Sequence, residues 1–360
     1  MGEKEKMKGI FTEDKINRGR QRELDVAKGL AVIFMVIVHT YEVYGESVEG
    51  TMFSQVVEFL GSPPAAPVFM FLLGVGVVYS RKNTPKILFV RGIKIFVLGY
   101  VLNFIRDFIP YMILGKMDND LESIEEAWNS LLGIDILMFA GLTLMFFALV
   151  KKYKVKNQYL IVIWCAFSSL GLLFKQINFD SEILNSIFGL IWGTDDYSWF
   201  PFTSWIFYPI LGYLFAQVII RCVDKDKLYK NIFIITAGLS SALWICAYTN
   251  RINFGQFDLY QNSYYQHDII GNIILGIFVL LWISIIYFIT RSMPERLYKP
   301  FARWSKNCNG IYCGHWVILG YSMLIMKDNY NALMLCVLSV ILFILSDLVS
   351  NFIDRKGIRI

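Results

Sequence analysis

The sequence predicts an all-α, polytopic integral membrane protein of about ten transmembrane helices with both termini cytoplasmic. Three observations carry this. Of the 360 residues 56% are hydrophobic and the mean hydropathy is +0.50, above the roughly 45–50% apolar content of soluble domains. Apolar runs of about 17–25 residues, the length that crosses about 30 Å of hydrocarbon, recur near 27–45, 63–80, 87–105, 130–150, 158–175, 199–220, 231–249, 268–290, 308–326 and 332–352. With the N-terminus inside, 29 of the 34 Lys and Arg residues fall in the inner segments; only Arg106, Lys116, Lys175, Arg251 and Lys327 lie elsewhere. That is a positive-inside asymmetry, and one span more or fewer would scramble it.

Residues 1–20 are charged and lack the apolar core of a cleavable signal peptide, so they read as a basic cytoplasmic segment free to be disordered. Arg22, Glu23, Leu24, Asp25 and Lys28 then lead into the first span, which carries His39. An ionisable residue inside hydrocarbon costs a few kcal/mol or more, which makes His39 a functional candidate; the plainer alternative is a His that hydrogen-bonds to a neighbouring helix. Lys28, Val32, Met35, His39 and Glu42 share one helical stripe. His39 lies about 21 Å along the helix from Asp25, toward the outer leaflet.

Glu42, Glu46, Glu49 and Glu58 make the next loop acidic, with a short interfacial helix expected over 51–60. Pro63, Pro64 and Pro67 mark a bent start to the second span, because proline is tolerated in a helix's first turn. Gly74 and Gly76 behind them suit close helix packing. The third span ends in Arg106-Asp107 and an acidic loop follows. Asp135 then sits about one turn inside the fourth span, at a depth where it could pair with His39, although Arg106 has partners of its own to find. The apolar piece 183–192 is too short to cross and is expected to lie in the interface or re-enter.

Asp195, Asp196, Trp199 and Trp205 form a polar and aromatic strip leading into the sixth span. It reads either as an interfacial aromatic belt or as a platform for a sugar ring, which the paired aspartates favour. The loop 248–268 is dense in Asn, Gln and Tyr and contains His267, chemistry suited to a polyol or to plain solvation. The ninth span carries Tyr312 and His315 three residues apart on one face. His315 lies about 10 Å from the cytoplasmic end, so the two span histidines bracket the midplane. The net charge of +5 reflects helix orientation and an inner face suited to anionic lipid or an anionic substrate; it calls for no nucleic acid. The six cysteines form no metal-ligand or paired pattern and read as reduced.

Several stretches together resemble one family. Arg22, Leu24, Asp25, Lys28, Gly29, Leu30, Ala31 and, 14 residues after Asp25, His39 resemble the opening helix of the transmembrane acyltransferase superfamily. That group includes heparan-α-glucosaminide N-acetyltransferase and bacterial membrane acyltransferases that decorate surface glycans. Four more pieces fit in order: Ala66-Pro67-Val68-Phe69 with Gly74; Ile134-Asp135-Ile136-Leu137 with Gly141-Leu142; Phe200-Pro201 through Trp205 to Leu211-Gly212-Tyr213; and Asn309-Gly310-Ile311-Tyr312 with His315. Lys28 stands where the family more often has Arg, and no appended soluble domain is evident.

The resemblance implies one transmembrane acyltransferase domain over 21–355, moving an acyl group, typically acetyl, from cytosolic acyl-CoA to a sugar or glycan across the cell membrane. It implies His39 as base or transient acyl carrier, with His315, Glu42 and Asp135 completing the catalytic set. Arg22, Asp25, Lys28 and Arg91 are assigned to the CoA side, and Asp195, Asp196, Trp199, Trp205, His267 and Tyr312 to the acceptor. A carboxylate, Glu42 or Asp135, is expected to orient the base. No metal is implied; expected partners are acyl-CoA, the acceptor and membrane lipid, with a homodimer left open. Two other classes remain: a secondary transporter of a polar solute, although no pair of interrupted helices in the two halves supports it, and a non-catalytic membrane subunit.

Overall fold

The computed structural model describes residues 9–174, 177, 179–193, 198–249, 264–326 and 329–356. Among them are sixteen α-helices and no strand: α1 (Arg22–Tyr44), α2 (Met52–Gly61), α3 (Ala66–Tyr79), α4 (Pro85–Asn103), α5 (Ile109–Asp118), α6 (Leu121–Leu132), α7 (Ile136–Lys152), α8 (Asn157–Phe174), α9 (Glu182–Gly189), α10 (Phe202–Trp205), α11 (Phe207–Ile219), α12 (Lys225–Thr249), α13 (Ile269–Arg291), α14 (Glu295–Lys306), α15 (Cys308–Ser322) and α16 (Ala332–Arg355). A π-helical turn, Phe104–Phe108, joins α4 to α5. The chain is an all-α polytopic membrane protein, as helices must be where no water is present to satisfy backbone groups. A helix stands at each of the ten expected spans. Seven helical stretches among the described residues are long and apolar enough to cross a membrane: Arg22–Tyr44, Met52–Tyr79, Pro85–Asp118, Asn157–Phe174, Phe202–Ile219, Ile269–Arg291 and Ala332–Arg355. Helices α7 and α15 are shorter, at 17 and 15 residues.

Helix α1 is the axis of the fold, touching α2, α3, α13, α14, α15 and α16. Its buried positions run from Glu23 to Tyr44, so its apolar run is covered by protein rather than left to lipid. The other strong pairings are α3 with α11, α4 with α7, α12 with α13 and α15 with α16. At the α3–α11 crossing the close approach is reciprocal: a Cβ on Gly74 would overlap the Pro209 carbonyl, and one on Gly212 would overlap the Phe71 carbonyl. Glycine permits this packing, which takes the place of the hydrophobic drive that lipid removes.

The short helix expected over 51–60 is α2, capped by Thr51, whose hydroxyl accepts from Ser54 N. The piece 183–192 forms the short helix α9 followed by a turn. One expectation changes. The N-terminal segment is not free from residue 10 onward: Val223 N donates to Ile10 O, Thr12 N to Arg221 O, and the Asn17 amide to the Ile219 and Cys222 carbonyls. The inner segment 291–306, between the eighth and ninth spans, is mostly the amphipathic helix α14, laid along α1.

That α1–α14 junction is built on Asp25, which is largely buried. Its carboxylate accepts two bonds from the Arg20 guanidinium, at 2.9 and 2.8 Å, one from Tyr298 Oη at 2.7 Å and one from Ser305 Oγ at 2.9 Å. Burial, with the bond to Asp25, pushes the Tyr298 phenol up to about 12.

Candidate active site

The site grows from four pieces of chain that α1 and α15 bring together. His39 lies near the end of α1, and His315 lies mid-way along α15 with no exposed surface. His39 Nδ1 is 2.8 Å from His315 Nε2, and the ring planes are within 7° of parallel. His315 Nδ1 lies 3.1 Å from the Ile311 carbonyl. A carbonyl only accepts, so His315 Nδ1 carries a proton. A buried, uncharged His315 then has a bare Nε2, which accepts from His39 Nδ1–H. The hydrogen-bond chain thereby assigns the tautomer of His39 and leaves its Nε2 as an unprotonated acceptor.

Behind the histidines stands an ionic cluster. Asp135 caps α7 by accepting from Ile136 N, and Tyr312 Oη donates to its carboxylate at 2.7 Å. Arg106, 3% exposed, is placed by the π-helical turn, an arrangement that commonly re-aims a side chain at functional sites. Its Nε donates to Asp107 Oδ2 at 2.7 Å and its Nη1 is 2.9 Å from Asp135 Oδ2. A Cβ on Gly320 of α15 would overlap the Arg106 carbonyl, so the turn and α15 are in backbone contact. The Trp316 ring bridges the two groups: its centroid is 4.2 Å from that of His39 and 4.3 Å from the Arg106 guanidinium carbon.

His39, Arg106, Asp107, Asp135, Tyr312 and Trp316 line a cavity of about 300 Å³, together with Glu42, Tyr111, Glu126, Trp199, Phe200, Tyr264 and Tyr265; His315 stands behind His39. A second cavity of about 680 Å³ is lined by Tyr41, Glu42, Glu46, Glu49, Glu58, Ser62, Tyr264 and Tyr265. Val38, Glu42, Tyr264 and Tyr265 line both. The smaller cavity therefore holds the ionic cluster, and the larger one is acidic and adjoins it.

The structure brings together His39, His315, Glu42, Asp135, Tyr312 and Trp199 at or beside one cavity. It corrects their expected relations. The two histidines, read from sequence only as depths along separate helices, are in direct contact. Among the described residues no carboxylate is bonded to His39; His315 is, while Asp135 serves Tyr312 and Arg106. Trp205 does not line the cavity: it is fully buried and donates from Nε1 to the Tyr265 carbonyl at 2.7 Å, holding the loop whose Tyr264 and Tyr265 do line it. His267 packs on Trp205, also away from the cavity, and its Nδ1 is 2.9 Å from Tyr208 Oη. Burial pushes the His267 imidazole down to about 3. Asp195 and Asp196 lie outside the described residues.

The residues expected on the CoA side sit at or near the opposite end of α1, or on α4. Arg22 donates from Nη2 to the Met293 carbonyl at 2.7 Å and stacks on Tyr298, its guanidinium carbon 4.5 Å from the ring centroid. Lys28 Nζ is 5.5 Å from the Phe69 ring centroid. Arg91 is exposed on α4. Asp25 is engaged by Arg20, Tyr298 and Ser305, so it organises this end rather than facing an open site. Arg106 and Trp316 were not singled out for a catalytic role from sequence. Arg106 carried a signal, as one of five cations on the wrong side of the charge asymmetry. Trp316 carried none beyond its place next to His315.

A family model described as an acyltransferase domain matches residues 21–351 of the chain. None of the curated proteins matches it.

Proposed function

This chain belongs to the acyltransferase family, and from that premise we propose that it moves an acyl group, acetyl by preference, from cytosolic acyl-CoA to a sugar or glycan acceptor on the extracytoplasmic side of the cell membrane. The observation that carries this reading is the hydrogen-bond chain from the Ile311 carbonyl through His315 to His39, ending on a free Nε2 of a residue that lines the cavity. Acyl transfer needs a base at that kind of position.

In the step proposed, His39 Nε2 takes the proton of the acceptor hydroxyl or amine, and the acceptor atom bonds to the thioester carbonyl carbon. The C=O electron pair moves onto oxygen, giving a tetrahedral oxyanion. Collapse breaks the C–S bond, and the imidazolium returns its proton to the leaving thiolate. His315 holds the starting tautomer and accepts from Nδ1–H throughout. Arg22, Lys28 and Arg91 would meet the CoA phosphates, for which Arg is well shaped. The acceptor would enter through the acidic cavity, where Glu42, Glu46, Glu49 and Glu58 favour a neutral or amine-bearing sugar over an anionic one, with Trp199 offering a face for the ring.

The test uses purified protein in liposomes with labelled acetyl-CoA and a panel of amino and neutral sugars, comparing wild type with His39→Ala. Acyl-sugar formation that vanishes in the variant is expected. A wild type that turns over no acetyl-CoA would move the protein to another acyl donor or to a carrier. Turnover surviving His39→Ala would keep the activity and remove this mechanism.

A further inference from the structure

The general base accounts for one half of acyl transfer. The other half is the charge that develops on the carbonyl oxygen, which enzymes meet with N–H donors already in place and not engaged elsewhere. Buried N–H groups are almost always paired, so those left without an acceptor are informative. Among the described residues five tryptophan N–H groups are buried without an acceptor: those of Trp164, Trp192, Trp282, Trp304 and Trp316. Of these five only Trp316 lines the cavity that holds His39. The Tyr312 oxygen, whose own proton goes to Asp135, interacts with this N–H without meeting hydrogen-bond geometry, so the N–H has no well-aligned acceptor.

A second donor stands beside it. Arg106 Nη1 is buried and, although 2.9 Å from Asp135 Oδ2, is not aligned to donate to it. The guanidinium is otherwise held: Nε is bonded to Asp107, its carbon lies over the Trp316 ring, and the backbone behind it is pressed against Gly320. It cannot swing away to find another partner. His39, Arg106 and Trp316 therefore line one cavity, with Trp316 in contact with both of the others.

We propose that Trp316 Nε1–H, with Arg106 Nη1 as its companion, is the oxyanion-stabilising pair of the acyl-transfer site, so that both are catalytic residues. This rests on the acyltransferase reading above and adds to it where the carbonyl oxygen sits. As the acceptor atom bonds to the carbonyl carbon, the oxygen gains the electron pair and accepts from the two donors. When the C–S bond breaks, the pair returns to C=O and the donors are released. No further reactant is needed. The two carboxylates beside Arg106 orient it and also oppose negative charge nearby, which leaves the uncharged indole donor with the larger share.

The test is Trp316→Phe, which keeps an aromatic ring against His39 and Arg106 but removes the N–H. Wild type, Trp316→Phe, Arg106→Lys and His39→Ala are compared in liposomes with labelled acetyl-CoA and the sugar acceptor that wild type uses best. Loss of one such donor is expected to lower kcat about 10²–10³-fold with the KM values for acetyl-CoA and sugar within about twofold, since a developing charge is bound only in the transition state. Arg106→Lys should also lower kcat, and it serves as the reporting variant if Trp316→Phe does not fold. Unchanged kcat in the folded variants, with His39→Ala inactive, overturns the oxyanion pair and leaves the base intact. A raised KM at constant kcat likewise overturns it, making Trp316 a ground-state contact. A wild type with no acetyl-CoA turnover overturns the reading on which the pair rests, and the pair with it.

Discussion

Replacing His315 by Phe removes the acceptor for His39 Nδ1–H and keeps a ring in the space. In wild type that N–H is held at 2.8 Å by His315 Nε2, in a place where His315 itself has no exposed surface. An unpaired buried donor costs about 1–3 kcal/mol. His39 can escape that cost by moving its proton to Nε2, where the cavity offers acceptors such as Glu42, but that tautomer has no lone pair for the acceptor substrate. At about 1.36 kcal/mol per tenfold, the active tautomer falls by about 5- to 150-fold, and kcat should fall with it. His315→Gln is the informative companion: its amide oxygen can still accept from Nδ1–H, so its kcat should stay closer to wild type than that of His315→Phe. Both are read as steady-state kcat and KM with acetyl-CoA and a sugar in liposomes. His315→Phe turning over at the wild-type rate would show that His315 does not set the tautomer. A Gln variant as inactive as the Phe variant would also refute the reasoning, because His315 would then act through something other than accepting a proton.

Other expectations follow from the same geometry. Asp135→Ala strips Arg106 of one of its two carboxylates, Tyr312 of its acceptor and α7 of its cap; breaking a buried pair this way costs about 3–5 kcal/mol, seen as a large fall in melting temperature in detergent. Gly212→Ala drives a Cβ into the Phe71 carbonyl, and because backbone cannot yield as a side chain can, the cost should reach or exceed the upper end of the usual overpacking range of about 1–3 kcal/mol, read as loss of monodisperse protein. His267 titrates near 6.5 when unfolded and is pushed down to about 3 by burial, so the folded protein binds fewer protons. Its contribution is complete above pH 6.5 and lost as pH falls toward 3, by about 1.4 kcal/mol per unit. His267→Gln should therefore flatten the acid side of the melting-temperature profile between pH 6.5 and 4; an unchanged slope there would sink this account.

How far this was legible in the sequence differs by feature. Helix positions followed from apolar run length, because a membrane leaves a chain few other choices. His39 and His315 stood out because an ionisable residue in an apolar run has no cheap explanation. Their contact was not legible: periodicity gives depth along one helix but not which helices neighbour each other, and the two residues are 276 apart in the chain. The same limit hid the partner of Asp135. Arg106 and Tyr312 reach it from other helices, and the π-helical turn that aims Arg106 has no local sequence rule. Trp205 misled for a different reason. An aromatic strip at a membrane interface looks alike whether it faces a ligand or holds a loop, and only the bond to the Tyr265 carbonyl decides between them.

Pairing offers a way to sort the remaining polar groups. A membrane interior penalises every unsatisfied charge or donor, so most of those buried around α1 and α15 are matched: Tyr312 with Asp135, Arg106 with Asp107 and Asp135, His39 Nδ1 with His315. Among the described residues lining this cavity, the Trp316 N–H and Arg106 Nη1 are buried without a hydrogen-bond partner, the His315 contact leaves His39 Nε2 as an acceptor, and the Glu42 carboxylate lies where the two cavities meet. A purely structural cluster would have no reason to leave an acceptor and two donors unmatched on residues that line one cavity. A carrier would need such groups to release its solute unchanged, and so to favour bound and free states alike. One base and two donors on residues of one cavity instead suit a species that gains negative charge while losing a proton, which is a description of the acyl-transfer transition state.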